Sequence, residues 1–157
     1  DGGCLDSKVP EMMIEYLLEG NGEYHGIDVA EEAINTRSLA WGNIRGTYFS
    51  IGNVYETKFD DNLFDYAILG EILEHLDEPE KAIAEAMRIL RPGGWLAISV
   101  PLEEAREPGA CDAERHLWSF SKMDMEELLI PYGNVELDTV GSLFTWKPPF
   151  YRYCWKS

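Results

Sequence analysis

The sequence predicts an α/β fold, a doubly wound and mostly parallel sheet that ends in an antiparallel hairpin. Apolar runs of strand length alternate with helix-like runs along most of the 157 residues. The near-continuous apolar run WLAISV at 95–100 is typical of a strand covered on both faces. Glycine and proline mark several of the turns between elements. This alternation favours a parallel sheet with helices on both faces.

The predicted elements follow a regular order. The helices are expected at residues 8–19, 31–39, 78–90 and 121–130. The strands are expected at residues 23–28, 48–51, 64–69, 95–100, 135–140 and 150–155. Pro92-Gly93-Gly94 is expected to form the turn before the fourth strand. Ser121 and Asp124 have the spacing of a capping box at a helix start. The last two strands are expected to form the hairpin.

Length and charge limit the kinds of protein that this chain can be. Its length fits a single domain over 1–157 with one core. Asp and Glu outnumber Lys and Arg by 29 to 13, which gives a net charge of −16. Because phosphate backbones are bound by clustered Lys and Arg, neither nucleic acid nor an anionic membrane is an expected partner. Three cysteines without a CxxC pair fit a reducing compartment, so the expected location is cytoplasmic.

Candidate ligand-binding residues fall at the carboxyl ends of the predicted strands, where ligands bind open parallel sheets. The turn Asp1-Gly2-Gly3-Cys4 precedes a predicted helix, and glycine there lets a ligand approach the backbone. Asp28 ends a strand, where a carboxylate can accept hydrogen bonds from both hydroxyls of a ribose. The alternative is that Asp28 only caps the helix that follows it.

Residues 59–101 carry a more specific pattern, FDDNLFDYAILGEILEHLDEPEKAIAEAMRILRPGGWLAISVP. It contains an FD-strand, a Glu-His pair at a helix start, an amphipathic helix ending in R-x-L-x-P-G-G, and an apolar strand ending in Pro. Residues 113–128 add a His-Leu and an aromatic-Ser step before a helix. In these features the chain resembles class I S-adenosylmethionine-dependent methyltransferases of the group that includes the ubiquinone-biosynthesis O-methyltransferases. The resemblance implies a Rossmann-like methyltransferase fold and S-adenosylmethionine as the cofactor.

The resemblance also implies roles for individual residues. Asp28 would hold the ribose hydroxyls, and Val29 would pack on the adenine. Asn53 would meet the adenine amino group through its side-chain oxygen, and Leu69 would offer a backbone carbonyl to the amino group of the cofactor. The implied cofactor-binding residues are Asp1, Gly2, Gly3, Cys4, Asp28, Val29, Asn53, Val54 and Leu69.

Two features depart from the family pattern. The family's loop reads Asp-x-Gly-x-Gly-x-Gly, whereas Leu5 and Ser7 stand at the second and third glycines here. The first strand of the fold normally precedes the motif aspartate, which is Asp1 in this chain, so that strand is expected to be truncated. The alternative function is therefore a catalytically inactive domain of the same fold that acts as a binding or regulatory partner.

The expected reaction is methyl transfer to a small-molecule acceptor by a monomer or homodimer. An oxygen or nitrogen acceptor can need a base, and histidine titrates near neutral pH. The predicted catalytic residues are His75, His116 and Glu71. No metal is predicted. The alternative, by similarity to small-RNA 2′-O-methyltransferases, is a divalent ion held by Glu71, Glu74, His75 and His116.

Overall fold

A computed structural model of the chain describes residues 1–3, 22–101, 116–140 and 150–156. The chain divides into two compact units, Asp1–Phe59 and Asp60–Ser157, called the N-terminal and C-terminal units below. The predicted helix over 8–19 lies outside the described residues, as does most of the predicted loop at 101–115. The expectation of a single domain over 1–157 stays a prediction.

The N-terminal unit is built on two parallel strands. The strands β1 (Tyr24–Asp28) and β2 (Thr47–Ile51) are joined by the helix α1 (Glu31–Trp41). Residues 1–3 run parallel to β1 on hydrogen bonds to Ile27. The Ile27 N–H donates to the Asp1 carbonyl at 2.9 Å, and the Gly3 N–H donates to the Ile27 carbonyl at 3.1 Å. The carboxyl ends of β1 and β2 therefore lie at one edge of this sheet.

Packing in the N-terminal unit depends on one glycine of β1. Tyr24 and Ile27 of β1 are buried, and so are Ala33 and Ile34 of α1. A Cβ added at Gly26 would lie 2.9 Å from the ring of Phe49 on the paired strand. This distance is too short for two carbon atoms, so a larger residue at position 26 would displace the Phe49 ring.

The C-terminal unit contains a four-stranded mixed sheet. Its strands are β3 (Phe64–Gly70), β4 (Leu90–Pro101), β5 (Asn134–Val140) and β6 (Phe150–Lys156). They lie in the order β3-β4-β6-β5. β3 and β4 are parallel, whereas β6 runs antiparallel to both of its neighbours. The predicted C-terminal antiparallel hairpin is therefore confirmed, and its second strand lies between β4 and β5.

The helix α2 (Pro79–Ile89) covers β3 and β4. Its apolar residues recur at helical spacing, and Ala82 and Ile83 are fully buried against the sheet. Pro79 occupies the first turn, where its missing N–H costs no hydrogen bond. The helix predicted over 78–90 is therefore confirmed, except that Glu78 precedes it as the N-cap residue and Leu90 begins β4.

The Pro92-Gly93-Gly94 segment does not separate two elements as predicted. β4 begins at Leu90, which pairs with Phe64, and an irregularity in register follows before Trp95 pairs with Tyr66. Gly93 has a φ of +83°, so this segment is a bulge within the span of β4. Trp95 was expected to lie in the core and is only half-buried, because side chains alternate along β4.

The helix α3 (Lys122–Leu129) begins with the predicted capping box. The Asp124 N–H donates to Ser121 Oγ at 3.1 Å, and the Ser121 N–H donates to Asp124 Oδ2 at 2.8 Å. A short 3-10 helix, Ile130–Tyr132, follows α3 directly. Among the helices of the described ranges, none has the length and apolar character needed to cross a bilayer.

Candidate active site

The carboxylate of Asp28 stands at the carboxyl end of β1. Its Oδ1 accepts a hydrogen bond from the Ala30 N–H at 2.9 Å, and its backbone carbonyl accepts one from the Gly52 N–H at 2.9 Å. The side chain thus stabilises the turn before α1, but the bond goes to the N–H of the N-cap residue Ala30, so Asp28 is not the helix cap that the alternative expected. The residue is only half-buried, and a carboxylate has more acceptor sites than this one bond uses. The turn-stabilising bond of Asp28 is therefore compatible with ligand binding.

The other predicted adenine-side residues differ in exposure. Val29 is 72% exposed, whereas Val54 is 6% exposed and belongs to the core. Asn53 is exposed, and its Oδ1 accepts a hydrogen bond from the Tyr55 N–H at 2.9 Å. The oxygen expected to meet the adenine amino group therefore holds the turn after β2, which leaves one lone pair for a ligand.

The described part of the glycine turn is fixed beside β1. The Tyr24 hydroxyl donates a hydrogen bond to Asp1 Oδ2 at 2.5 Å. Gly3 has a φ of +70°, in the left-handed region that favours glycine. Gly2 is buried next to Ile27. Cys4, Leu5 and Ser7 lie outside the described residues.

In the C-terminal unit, the carboxyl end of β3 carries a backbone of unusual conformation. Leu69 is buried within β3 and pairs with Ile98. Glu71, the first residue after β3, has a φ of +51°, and its N–H donates to the Ser99 carbonyl at 2.9 Å. Non-glycine residues adopt this region at a cost, and such residues concentrate at functional sites. The side chain of Glu71 is exposed.

A cluster of one carboxylate and two imidazoles follows Glu71. The 3-10 helix Leu73–His75 turns the chain so that Leu73 and Glu74 are buried while His75 is exposed. His116 is 8% exposed, and its ring centroid lies 4.8 Å from that of His75. One donor atom from each of Glu74, His75 and His116 lies within 4.8 Å of the others. The structure thus brings two predicted catalytic residues together, and the third, Glu71, is not in this group.

Backbone hydrogen bonds hold the two segments of this cluster in place. The Glu74 carbonyl accepts hydrogen bonds from the Leu117 N–H at 2.7 Å and from the Trp118 N–H at 3.2 Å. The Trp118 indole Nε1 donates to the Leu76 carbonyl at 2.6 Å. Since these bonds use the residues next to both histidines, His75 and His116 are fixed near each other by the main chain.

Glu74 was named from the sequence only as a ligand of the alternative divalent ion and not among the predicted catalytic residues, although it is 1% exposed and lies beside both imidazoles. Its burial was not readable from local periodicity, because a three-residue 3-10 helix is too short to give a repeating pattern. The signal that could have identified it is the Glu-His pair next to a buried leucine, directly after a buried strand.

Comparison with known proteins identifies the family. The methyltransferase domain family matches residues 1–98. The chain belongs to this family. An uncharacterized methyltransferase of Schizosaccharomyces pombe is 32% identical over 104 residues, which cover 61% of this chain and 37% of that protein. The demethylmenaquinone methyltransferase of Desulfitobacterium hafniense is 33% identical over 112 residues, which cover 68% of this chain and 43% of that protein. The matched part of this chain thus spans less than half the length of these two curated relatives.

Solved structures give the same fold. A complex of the Haloferax volcanii Trm112 methyltransferase activator with a methyltransferase matches with a TM-score of 0.81 at 18% identity, covering 98% of this chain and 79% of that one. A SAM-dependent methyltransferase of Aquifex aeolicus matches with a TM-score of 0.73 at 22% identity, with the same coverages of 98% and 79%. The predicted Rossmann-like fold class and the prediction of a SAM-dependent methyltransferase domain are confirmed, whereas the ubiquinone-biosynthesis group stays a prediction.

Proposed function

We propose that this domain transfers the methyl group of S-adenosylmethionine to a small-molecule acceptor. The observation that carries the proposal is the family match over residues 1–98, which includes the Asp28 turn and the Glu-His pair before α2. The roles of individual residues in this reaction are part of the proposal.

The residues of the N-terminal unit suit the proposed cofactor. Asp28 combines a half-buried carboxylate with acceptor capacity that its turn does not use, which suits the two hydroxyls of a ribose. Gly3 has a positive φ and, as a glycine, no Cβ, so a ligand can approach this turn closely. Val29, which is 72% exposed, offers an apolar surface of the kind that an adenine ring covers. The described residues therefore fit the cofactor.

The cofactor supplies an electrophilic methyl group on a sulfonium sulfur. When bound, it would give this methyl group to a lone pair of the acceptor, and its carbon–sulfur bond would break to release S-adenosylhomocysteine. The protein positions the two reactants and, for a protonated acceptor, removes a proton. Positioning is the larger contribution, because the sulfonium group already carries the reactivity.

The histidines of the C-terminal unit are the proposed proton acceptors. His75 is exposed, so its imidazole is accessible to a solvent-borne acceptor, and it lies against the buried imidazole of His116. Glu74 stands beside both rings and can orient them or stabilise a protonated imidazole. Glu71, exposed at the carboxyl end of β3, is the proposed contact to a polar group of the acceptor.

The class of acceptor follows from charge. With a net charge of −16, the chain repels a polyanion, so we favour a small neutral or cationic acceptor over a nucleic acid. A cytoplasmic location and a monomeric or dimeric state remain predictions of the sequence.

Calorimetry with S-adenosylmethionine and S-adenosylhomocysteine tests the proposal. Asp28→Asn keeps an oxygen that can accept from the Ala30 N–H, so the turn survives, while the carboxylate is lost. We expect Asp28→Asn to weaken binding by at least about tenfold, the effect of losing a charge-assisted hydrogen bond. Glu31→Gln removes a charge from an exposed residue of α1 and is the matched control.

The outcomes separate the two functions. Binding that Asp28→Asn weakens and Glu31→Gln leaves unchanged supports the methyltransferase. Folded protein that binds neither compound favours the alternative, an inactive domain that acts as a partner. Binding that both variants leave unchanged would remove Asp28 from the cofactor site.

A further inference from the structure

We propose that Glu74, His75 and His116 bind one divalent transition-metal ion. The three residues come from two segments separated by about forty residues in the sequence, yet their donor atoms all lie within 4.8 Å of one another. Two of the three are buried, at 1% for Glu74 and 8% for His116. Of the two expectations from the sequence, this inference takes the divalent ion rather than the absence of a metal, and it leaves Glu71 out of the ligand set.

The donor set favours a particular class of ion. Imidazole nitrogens suit Zn²⁺, Fe²⁺, Co²⁺ and Ni²⁺, whereas Mg²⁺ and Ca²⁺ prefer sites made of oxygen atoms alone. Two histidines and one carboxylate form the ligand set of several catalytic zinc and non-haem iron sites, which keep further positions open. Only three protein donors are present in the described cluster, so water or a substrate atom would complete the coordination.

The distances require only a small adjustment. Metal–ligand bonds of about 2.0–2.2 Å place neighbouring donors about 3–3.5 Å apart. The donors of the cluster would therefore need to approach one another by about 1–2 Å at most, a movement within reach of rotation about side-chain bonds. His75 can make most of it, because its side chain is exposed whereas those of Glu74 and His116 are packed.

Main-chain hydrogen bonds hold the two segments that carry the ligands next to each other. The Glu74 carbonyl accepts hydrogen bonds from the N–H groups of Leu117 and Trp118, which adjoin His116. The residue that supplies the carboxylate ligand therefore also anchors the segment of the second histidine. Such support around metal ligands preorganises a site and raises its affinity.

An ion at this position would take part in the proposed methyl transfer by activating the acceptor. A hydroxyl of the acceptor bound at an open position would lose its proton to solvent water more readily, because the ion would stabilise the oxyanion. The histidines would then act as ligands and the ion, rather than an imidazole, would activate the acceptor. This role rests on the proposed function, whereas binding of the ion rests on the cluster alone.

Titration of metal-free protein with Co²⁺ tests the inference without any activity measurement. Co²⁺ gives visible absorption bands whose intensity and position report nitrogen ligation and coordination number. We expect saturation at one ion per chain, and at least about tenfold weaker binding in His75→Ala and in Glu74→Gln. His25→Ala is the matched control, since His25 lies in the N-terminal unit outside the cluster.

Millimolar Mg²⁺ in every titration separates this site from loose binding to the acidic surface, because the net charge of −16 attracts any cation. The inference is overturned if no visible band develops, or if His75→Ala binds Co²⁺ as tightly as the wild type. Because His75 is exposed, that variant is expected to fold, and circular dichroism checks this. Calorimetry with S-adenosylmethionine on the same samples reports the proposed function separately, so either idea can fail alone.

Discussion

The indole nitrogen of Trp118 donates a hydrogen bond to the carbonyl oxygen of Leu76 over 2.6 Å. Leu76 directly follows the 3-10 helix that carries Glu74 and His75, and Trp118 lies two residues after His116. One side chain thus connects the two segments of the proposed site, in addition to the backbone bonds to Glu74. Trp118 is 43% exposed, and its ring stacks with that of Phe120.

Replacement of Trp118 by Phe removes this donor and keeps an aromatic ring. We expect a loss of about 0.5–1.5 kcal/mol in the free energy of unfolding, the usual worth of one hydrogen bond. Co²⁺ affinity is expected to fall as well, because the position of His116 becomes less restricted. Urea unfolding and the cobalt titration measure the two effects. Unchanged cobalt affinity in a destabilised variant would limit Trp118 to a structural role.

Two substitutions at Glu71 distinguish the effect of its backbone strain from the effect of its carboxylate. Its φ of +51° is one that glycine adopts without strain, so Glu71→Gly is expected to leave stability unchanged or to raise it by up to about 1 kcal/mol. Glu71→Gln keeps the strain and removes the charge. If the carboxylate contacts the acceptor, both variants should slow methyl transfer by at least about tenfold. Full activity in Glu71→Gly would exclude Glu71 from the site.

Acid should weaken the N-terminus of α3. The backbone N–H and the hydroxyl of Ser121 both bond to the Asp124 carboxylate, and they lower its pKa below the ordinary 3.8. Because the folded-state pKa is depressed, this stabilisation is present above pH 3.8 and is lost as the pH falls through the folded-state pKa. Asp124→Asn is expected to cost less than about 1 kcal/mol at pH 7, since the carboxylate is exposed.

The difference between wild type and Asp124→Asn should then shrink as the pH falls below 3.8. Urea unfolding of both proteins at pH 7, 4 and 3 measures it. Glu127→Gln, at an exposed position of the same helix, controls for the loss of one negative charge. A difference that stays constant over this pH range would contradict the assignment to the capping box.

The bulge in β4 makes a matched pair of glycine substitutions informative. A Cβ at Gly94 would lie 2.9 Å from the Arg91 carbonyl oxygen and 3.1 Å from the Asp65 carbonyl oxygen. We therefore expect Gly94→Ala to cost about 1–3 kcal/mol, the range for overpacked positions. Gly70→Ala places its Cβ 3.7 Å from Ser99 Oγ, an ordinary contact, and should cost less. Thermal unfolding compares the two, and equal losses would argue against the steric explanation.

Local sequence patterns were sufficient to predict the elements whose signals lie in neighbouring residues. The helix α2 and the capping box of α3 were both predicted, because spacing and cap chemistry are written in adjacent residues. The bulge in β4 was not predicted, since a Pro-Gly-Gly segment is equally suited to a turn, and only pairing with β3 decides between them.

At the candidate site, too, some features follow from the local sequence and others depend on the tertiary structure. The strand-end position of Asp28 follows from chain order, whereas the closeness of His75 and His116 depends on hydrogen bonds between segments distant in sequence. Burial of Glu74 likewise depends on a single 3-10 turn. The types of residue at the site were predictable, but their grouping required the tertiary structure.

The position of β6 between β4 and β5 has a consequence for synthesis. On the ribosome, β5 is made before β6, yet in the described sheet β5 pairs only with β6. Until residues 150–156 emerge, β5 therefore lacks its partner in this sheet, and the edge of β4 that pairs with β6 stays unpaired. Such late, long-range pairing slows folding and leaves strand edges open to aggregation. A pause in translation between β5 and β6 would lengthen that vulnerable interval, so the yield of native protein should depend on the speed at which residues 141–156 are translated.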